Sequence, residues 1–300
     1  MESYKRNFSV KNFKEKIKIL KRAQKGGWAL GQFNVSNLEA IRAVFQAAKK
    51  LKSPVIIGTS EGESSYIGLK QVVVLTRVFE GETGIPAILN LDHGKSLDYI
   101  KMAVDAGYDS VHFDGSNLPL TENIRITKKV VEYAHRKRVL VEGELGLIRG
   151  SSEILKKSPK IKKEDLTDPK EAEKFLKKTK VDFLAISVGT LHGMEIFKDS
   201  PHIDLERVRE IKEKIRGEAF LVLHGGSGTP NEDIRGAIKR GIIKVNINTE
   251  MRLAFATALE KIFKGDFKEI APYKYMPEAI GAIQKIVEEK IKLFESNNKL

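Results

Sequence analysis

The run Phe220-Leu221-Val222-Leu223-His224-Gly225-Gly226-Ser227-Gly228 decides how the rest of this 300-residue chain is read. Its first half is apolar and of strand length, and glycines stop it. An amphipathic stretch over 231–240 follows, then a second apolar-alternating run, Ile243-Lys244-Val245-Asn246-Ile247-Asn248. Strand, helix and strand within about thirty residues is the sequence form of a βαβ unit and of a parallel sheet.

The same alternation extends outward in both directions. Strand-like runs lie at Trp28–Val35, Val55–Thr59, Ala87–Leu91, Ser110–Asp114, Val139–Glu144 and Phe183–Val188. Helical stretches separate them: one opening at Ser36-Asn37-Leu38-Glu39, then 69–82, 96–106, 121–137, 169–179 and 205–216, with another from Glu250 and a last over 277–294. Eight strand–helix units predict a closed (β/α)8 TIM barrel of the α/β class. A leading helix over 12–25 and a C-terminal helical extension flank it. No Gly-x-Gly-x-x-Gly follows the first strand, which argues against a dinucleotide-binding sheet. No linker rich in Pro, Gly or Ser divides the chain, so residues 1–300 read as one domain. One connection is abnormal: Leu147 to Thr167 far exceeds the roughly 2–6 residues of ordinary βα loops and predicts a mobile lid.

Composition narrows the function classes. The net charge of +13 raises nucleic acid as a partner, but the lysines alternate with glutamates, as in Leu205-Glu206-Arg207-Val208-Arg209-Glu210, the pattern of a solvated helix face. With no cysteine, disulfides, thiolate metal sites and cysteine nucleophiles are excluded. No apolar run reaches the roughly 18 residues of a membrane span, and the start carries no signal core. The expectation is a cytoplasmic enzyme with neither nucleic acid nor membrane as a partner.

In a (β/α)8 barrel the chemistry collects at the C-terminal ends of the strands. There the sequence places His93 after the third strand, His192 after the sixth and His224 at the end of the seventh. Three imidazoles beside an open position form the catalytic zinc arrangement. His135 and His202 read as surface residues, and His112 as barrel packing or support. Strand alternation turns Glu142 and Glu144 into the barrel interior, where buried carboxylates need a cation. A metal accounts for both acids; a network with Lys or Arg is the plainer reading. Lys244, on the inward face of the eighth strand, is the one lysine placed for a Schiff base. The loops Gly225-Gly226-Ser227 and Asn246-Ile247-Asn248-Thr249 occupy the phosphate-binding position of this fold.

These strand ends resemble the class II fructose-1,6-bisphosphate and tagatose-1,6-bisphosphate aldolases over nearly the whole chain. The resemblance rests on Leu89-Asn90-Leu91-Asp92-His93-Gly94, Val141-Glu142-Gly143-Glu144-Leu145-Gly146, Gly189-Thr190-Leu191-His192-Gly193 and Leu223-His224-Gly225-Gly226-Ser227. It implies a metal-dependent lyase that reversibly cleaves fructose 1,6-bisphosphate, or the tagatose epimer, to dihydroxyacetone phosphate and glyceraldehyde 3-phosphate. His93, His192 and His224 would hold catalytic zinc, Asp114 and Glu144 a second or alternative divalent position. A monovalent cation would sit by the Leu191, Gly193 and Gly225 carbonyls. Asp92 would exchange the C4 hydroxyl proton and Glu153, on the lid, the C3 proton. Gly193, Gly225–Ser227 and Asn246–Thr249 would bind dihydroxyacetone phosphate. Ser60 and Arg252 would meet the distal phosphate, Arg252 across a subunit interface, which implies a homodimer or homotetramer. Asn248 stands where some fructose-bisphosphate enzymes carry Asp and many tagatose-bisphosphate enzymes a small residue.

Overall fold

The computed structural model describes residues 2–155, 159–194, 202–264 and 268–300, with side chains described from residue 13 onward. Eight parallel strands close on themselves: β1 (Leu30–Asn34), β2 (Val55–Ser60), β3 (Ala87–Gly94), β4 (Ser110–Phe113), β5 (Leu140–Leu145), β7 (Phe183–Ile186), β9 (Phe220–Leu223) and β10 (Ile242–Ile247), with β10 paired to β1. Two further strands, β6 (Gly150–Ile154) and β8 (His192–Met194), pair with each other outside the barrel.

The helices around the barrel start where the sequence supplies caps. Asn37 accepts from Ala40 N at 2.9 Å before α2 (Leu38–Leu51), and Ser96, Asp168 and Asp204 cap α5 (Leu97–Ala106), α7 (Pro169–Thr179) and α8 (Leu205–Ile215). Each such cap contributes about 1 kcal/mol. The buried stripe of α2, Ile41, Val44, Phe45 and Ala48, lies against the outer face of the sheet. Burying the larger of these side chains contributes about 1.5–3 kcal/mol each.

Inside the barrel the inward positions change character from bottom to top. Leu30, Ile56, Ile88, Leu140, Phe183, Val222 and Ile243 form one apolar cluster, and Leu20 and Ala23 of α1 (Glu2–Gly26) join it with Trp28. The leading helix therefore plugs the N-terminal end. Above that layer the buried positions are Gln32, Asn34, Asn90, Asp92, His112, Glu142, Glu144, His224, Lys244 and Asn246. Polar groups this deep cost several kcal/mol each unless they bond to one another. Their concentration at one end marks the working face.

The structure departs from the sequence reading in four places. The leading helix starts at Glu2, not near residue 12. A short helix, α3 (Glu61–Ile67), precedes α4 (Leu69–Thr83), because Ser60 and Glu63 form a reciprocal capping box. The last helix, α11, spans Pro272–Leu293 with Pro277 inside it, whereas proline's preference for a first turn suggests a start at 277. The segment read as a lid is in part built structure, since β6 pairs with β8 and a 3-10 turn forms over Lys163–Asp165. The remaining helices, α6 (Leu120–His135), α9 (Asn231–Lys239) and α10 (Thr249–Phe263), lie close to their expected bounds. Among the described residues, no helix is long and apolar enough to cross a membrane.

Candidate active site

β3 brings two site residues to one place by breaking its own regularity. Its pairing with β4 slips by one residue between Leu91 and Gly94, and within that bulge His93 takes a left-handed φ of 50°. A regular strand would send Asp92 and His93 to opposite faces. The bulge re-aims one of them, as bulges near active sites do, and both side chains face the mouth.

Hydrogen bonds then assign the imidazole nitrogens. His93 Nδ1 lies 2.9 Å from Asp114 Oδ2, and His224 Nε2 lies 2.8 Å from Glu142 Oε1. Each of those nitrogens must carry the proton, because a carboxylate only accepts. The remaining nitrogens, His93 Nε2 and His224 Nδ1, face each other at 3.0 Å with lone pairs opposed. A cation between them removes the conflict. Two ligands about 2.0–2.1 Å from a tetrahedral zinc stand roughly 3.3–3.4 Å apart, so the donor pair fits a divalent ion. His192, on β8, completes a triangle: its ring centroid is 4.8 Å from that of His93 and 5.9 Å from that of His224. Burial, then the neighbouring His93 and His224, pushes the His192 imidazole well below its usual value, toward the neutral form a metal ligand needs.

His112 sits closer than the sequence suggests. With Asp92, His93 and His224 it offers ligand atoms all within 4.8 Å of one another, a group that does not include His192. Its Nδ1, however, accepts from the His93 backbone N–H at 3.2 Å. Its Nε2 faces Glu144 Oε2 at 3.3 Å, although neither buried atom completes a hydrogen bond. His112 thus holds the His93 backbone. A second group, His93, Asp114 and Glu144, also lies within ligand-sharing distance.

The two interior acids divide between the readings given above. Glu142 is held by Lys244 and His224, which is the plain network and corrects the assignment of both acids to a metal. Of the two, Glu144 is the one that falls in a group able to share an ion with His93 and Asp114. Lys244 has its Nζ on Glu142, 5.5 Å from the Phe183 ring. It is engaged below the mouth, where a Schiff base would not meet a substrate.

Asp92 is buried beside the donor pair. Asn34 donates to one of its oxygens at 2.9 Å and Asn246 to the other at 3.2 Å. Burial alone would raise this carboxyl, but the neighbouring imidazoles, His93 first and then His112 and His224, hold it well below the usual carboxylate range. It is a carboxylate fixed at both oxygens.

A narrow cleft of about 30 Å³ opens over these groups, lined by Asn34, Asp92, Ser152, Gly193, Ser227 and Asn248 among others. Larger cavities exist: 310 Å³ near Ile17 and Asp182, and 750 Å³ between α10 and α11. Neither carries convergent donors, so chemistry locates the site better than size. At one end of the cleft Ser227 Oγ accepts from Asn248 N at 3.2 Å and Glu250 N at 3.4 Å, gathering hydroxyl and backbone N–H groups at the start of α10. Gly225 makes this approach with φ 69°, and a Cβ there would stand 2.2 Å from Leu191 O. Gly226, Ile247 and Thr249 flank the same turn, and Gly226 N bonds Asn246 O at 3.1 Å.

Two expected residues are placed away from the cleft's donors in this chain. Glu153 lies exposed on β6 while its neighbour Ser152 lines the cleft; alternation along β6 turns one inward and the other out. Arg252, expected to cross a subunit interface, bonds within its own chain to Glu63 Oε1 at 2.6 Å and Ser152 O at 3.2 Å. Asn34 and Glu63 escaped the sequence reading. Asn34 ends the inward series Leu30, Gln32, Asn34, and Ser60-x-x-Glu63 is a legible capping box.

A family profile described as fructose-bisphosphate aldolase class-II matches residues 14–299. The chain is 39% identical over 282 residues to the fructose-bisphosphate aldolase of Staphylococcus aureus (strain Mu50), covering 92% of this chain and 95% of that one. Among solved structures it resembles the YdjI aldolase from Escherichia coli K12, with TM-score 0.79, 31% identity and coverage of 93% and 96%. It shares the fold of the Campylobacter jejuni fructose-bisphosphate aldolase at TM-score 0.82 and 22% identity, covering 96% of each chain. The profile's reach, and the convergence of the histidines with Asp92 at the mouth of a closed barrel, place this chain in the class II fructose-bisphosphate aldolase family, a family of metal-dependent lyases.

Proposed function

We propose that the chain reversibly cleaves a ketose bisphosphate between C3 and C4, fructose 1,6-bisphosphate or its tagatose epimer, releasing dihydroxyacetone phosphate and an aldehyde. The opposed lone pairs of His93 Nε2 and His224 Nδ1, 3.0 Å apart, carry this reading. With His192 they would hold zinc. When bound, zinc supplies Lewis-acid polarisation of the C2 carbonyl.

The rest falls to the chain. Asp92, ionised and held by Asn34 and Asn246, takes the C4 hydroxyl proton as the C3–C4 bond breaks, and the electron pair left at C3 takes a proton from water to give dihydroxyacetone phosphate. Gly193, Gly225, Gly226, Ser227 and the segment Asn246–Thr249 cradle the C1 phosphate on backbone N–H groups at the start of α10. The far end of the sugar then extends toward Ser60 and Arg252. His93, Asp114 and Glu144 offer a second divalent position, and the Leu191, Gly193 and Gly225 carbonyls a monovalent one. A homodimer or homotetramer in the cytoplasm completes the reading.

The test is removal and return of metal. Exhaustive EDTA treatment should abolish release of dihydroxyacetone phosphate, and stoichiometric zinc should restore it. Full turnover in verified metal-free protein would defeat the scheme.

A further inference from the structure

The two ends of the cleft differ in charge. At the α10 end, hydroxyl and backbone N–H groups converge, and the nearest acid, Glu250, is occupied by Gly228 N at 2.8 Å and by Lys290 Nζ at 2.7 Å. That end is open to an anion. At the other end the guanidinium of Arg252 reaches the cleft wall through Ser152 O, and a buried carboxylate already holds it. Glu63, its side chain 5% exposed, takes Arg252 at 2.6 Å. The same residue accepts from Ser60 N at 2.7 Å and from Asn34 Nδ2 at 3.1 Å. One carboxylate therefore consumes the cation and the backbone donor that a distal phosphate would need, and it connects through Asn34 to Asp92.

We infer that Glu63 is a specificity-determining residue that neutralises the distal end of the cleft, so that the preferred substrate is a ketose 1-phosphate whose far end carries hydroxyls rather than a second phosphate. This rests on the aldolase reading above and departs from it at one point: the C3–C4 cleavage and the C1 phosphate stay, and the second phosphate is replaced by hydroxyls. A dianion placed against Arg252 would displace Glu63 from its ion pair and leave a buried carboxylate facing two negative charges, which is costly on both counts. A sugar hydroxyl asks for neither exchange. It can donate to Glu63 and accept from Arg252 or Ser60 while the pair stays intact.

The experiment compares zinc-loaded wild type with Glu63→Ala and Glu63→Gln, measuring dihydroxyacetone phosphate released from fructose 1-phosphate and from fructose 1,6-bisphosphate. Glu63→Gln keeps the side chain's volume and an acceptor while removing its charge, and metal content with thermal unfolding reports whether each variant is folded. In wild type, kcat/KM for fructose 1-phosphate should equal or exceed that for the bisphosphate. Both variants should raise kcat/KM for the bisphosphate at least tenfold, chiefly through KM, and lower the value for the monophosphate, whose distal hydroxyl loses its carboxylate acceptor, so that the preference moves toward the bisphosphate. A wild type that prefers the bisphosphate a hundredfold, with KM unmoved in the folded Glu63→Gln protein, would overturn the inference and leave the aldolase reading standing. Cleavage of neither sugar by the zinc-loaded wild type would overturn both.

Discussion

Glu142 offers the sharpest separation between holding the barrel together and preparing a metal ligand. Its two oxygens go to different tasks: one takes His224 Nε2 and so frees Nδ1, and the other takes Lys244. Glu142 and Lys244 are 0% and 1% exposed. Breaking a buried pair by removing one partner costs about 3–5 kcal/mol, while replacing both is close to neutral. Glu142→Gln and Lys244→Met should each lower the unfolding temperature of metal-free protein by roughly 5–8 °C for a chain of this size. The double variant should recover at least half of that loss. Zinc affinity should follow a different rule. Loss of the outer carboxylate behind a ligating histidine weakens binding about 10–100-fold, or about 1.4–2.7 kcal/mol. That loss should appear in Glu142→Gln and in the double variant, measured by competition with a chromophoric chelator. In Lys244→Met, where the carboxylate still meets His224, affinity should stay near wild type. A Glu142→Gln protein that binds zinc as tightly as wild type would refute the assignment of His224 Nδ1 to the metal.

Two further outcomes follow from the geometry. Glu153 points away from the cleft, so Glu153→Ala should leave kcat for cleavage within about threefold, far short of the roughly 10²–10⁴ expected of a general acid or base; a hundredfold loss in a steady-state assay would show that β6 presents Glu153 during turnover. The His135 imidazole is raised by its hydrogen bond to Asp182, against a smaller effect of burial. Its stabilising contribution is complete below about pH 6.5 and disappears as pH rises through the folded value. His135→Gln should therefore lower the unfolding temperature more at about pH 5.5 than at about pH 8.5, and equal losses at both would contradict the pairing.

The barrel is legible in the sequence because each strand is a short apolar run bounded by a turn, and the inward faces follow from alternation, as for Glu142 and Glu144. Alternation fails where the backbone breaks period. At β3 a one-residue bulge and a left-handed His93 bring neighbouring residues to the same side, and nothing local to Asp92-His93 announces it. On β6 alternation does operate, but its phase is set by pairing with the distant β8, so Ser152 and Glu153 cannot be told apart beforehand. Pairings across the barrel are beyond local reading for the same reason. Glu142 meets Lys244 over 102 positions and Glu63 meets Arg252 over 189, separations that only the closed sheet brings together.

The proposed reaction requires imidazoles far apart in the chain to share one divalent ion. X-ray absorption at the zinc edge, on protein reconstituted with one equivalent, tests it most directly. Three imidazole nitrogens should surround the ion at about 2.0–2.1 Å, falling to two in His192→Ala. A shell of oxygen ligands alone, or no stoichiometric uptake of zinc by folded protein, would contradict it.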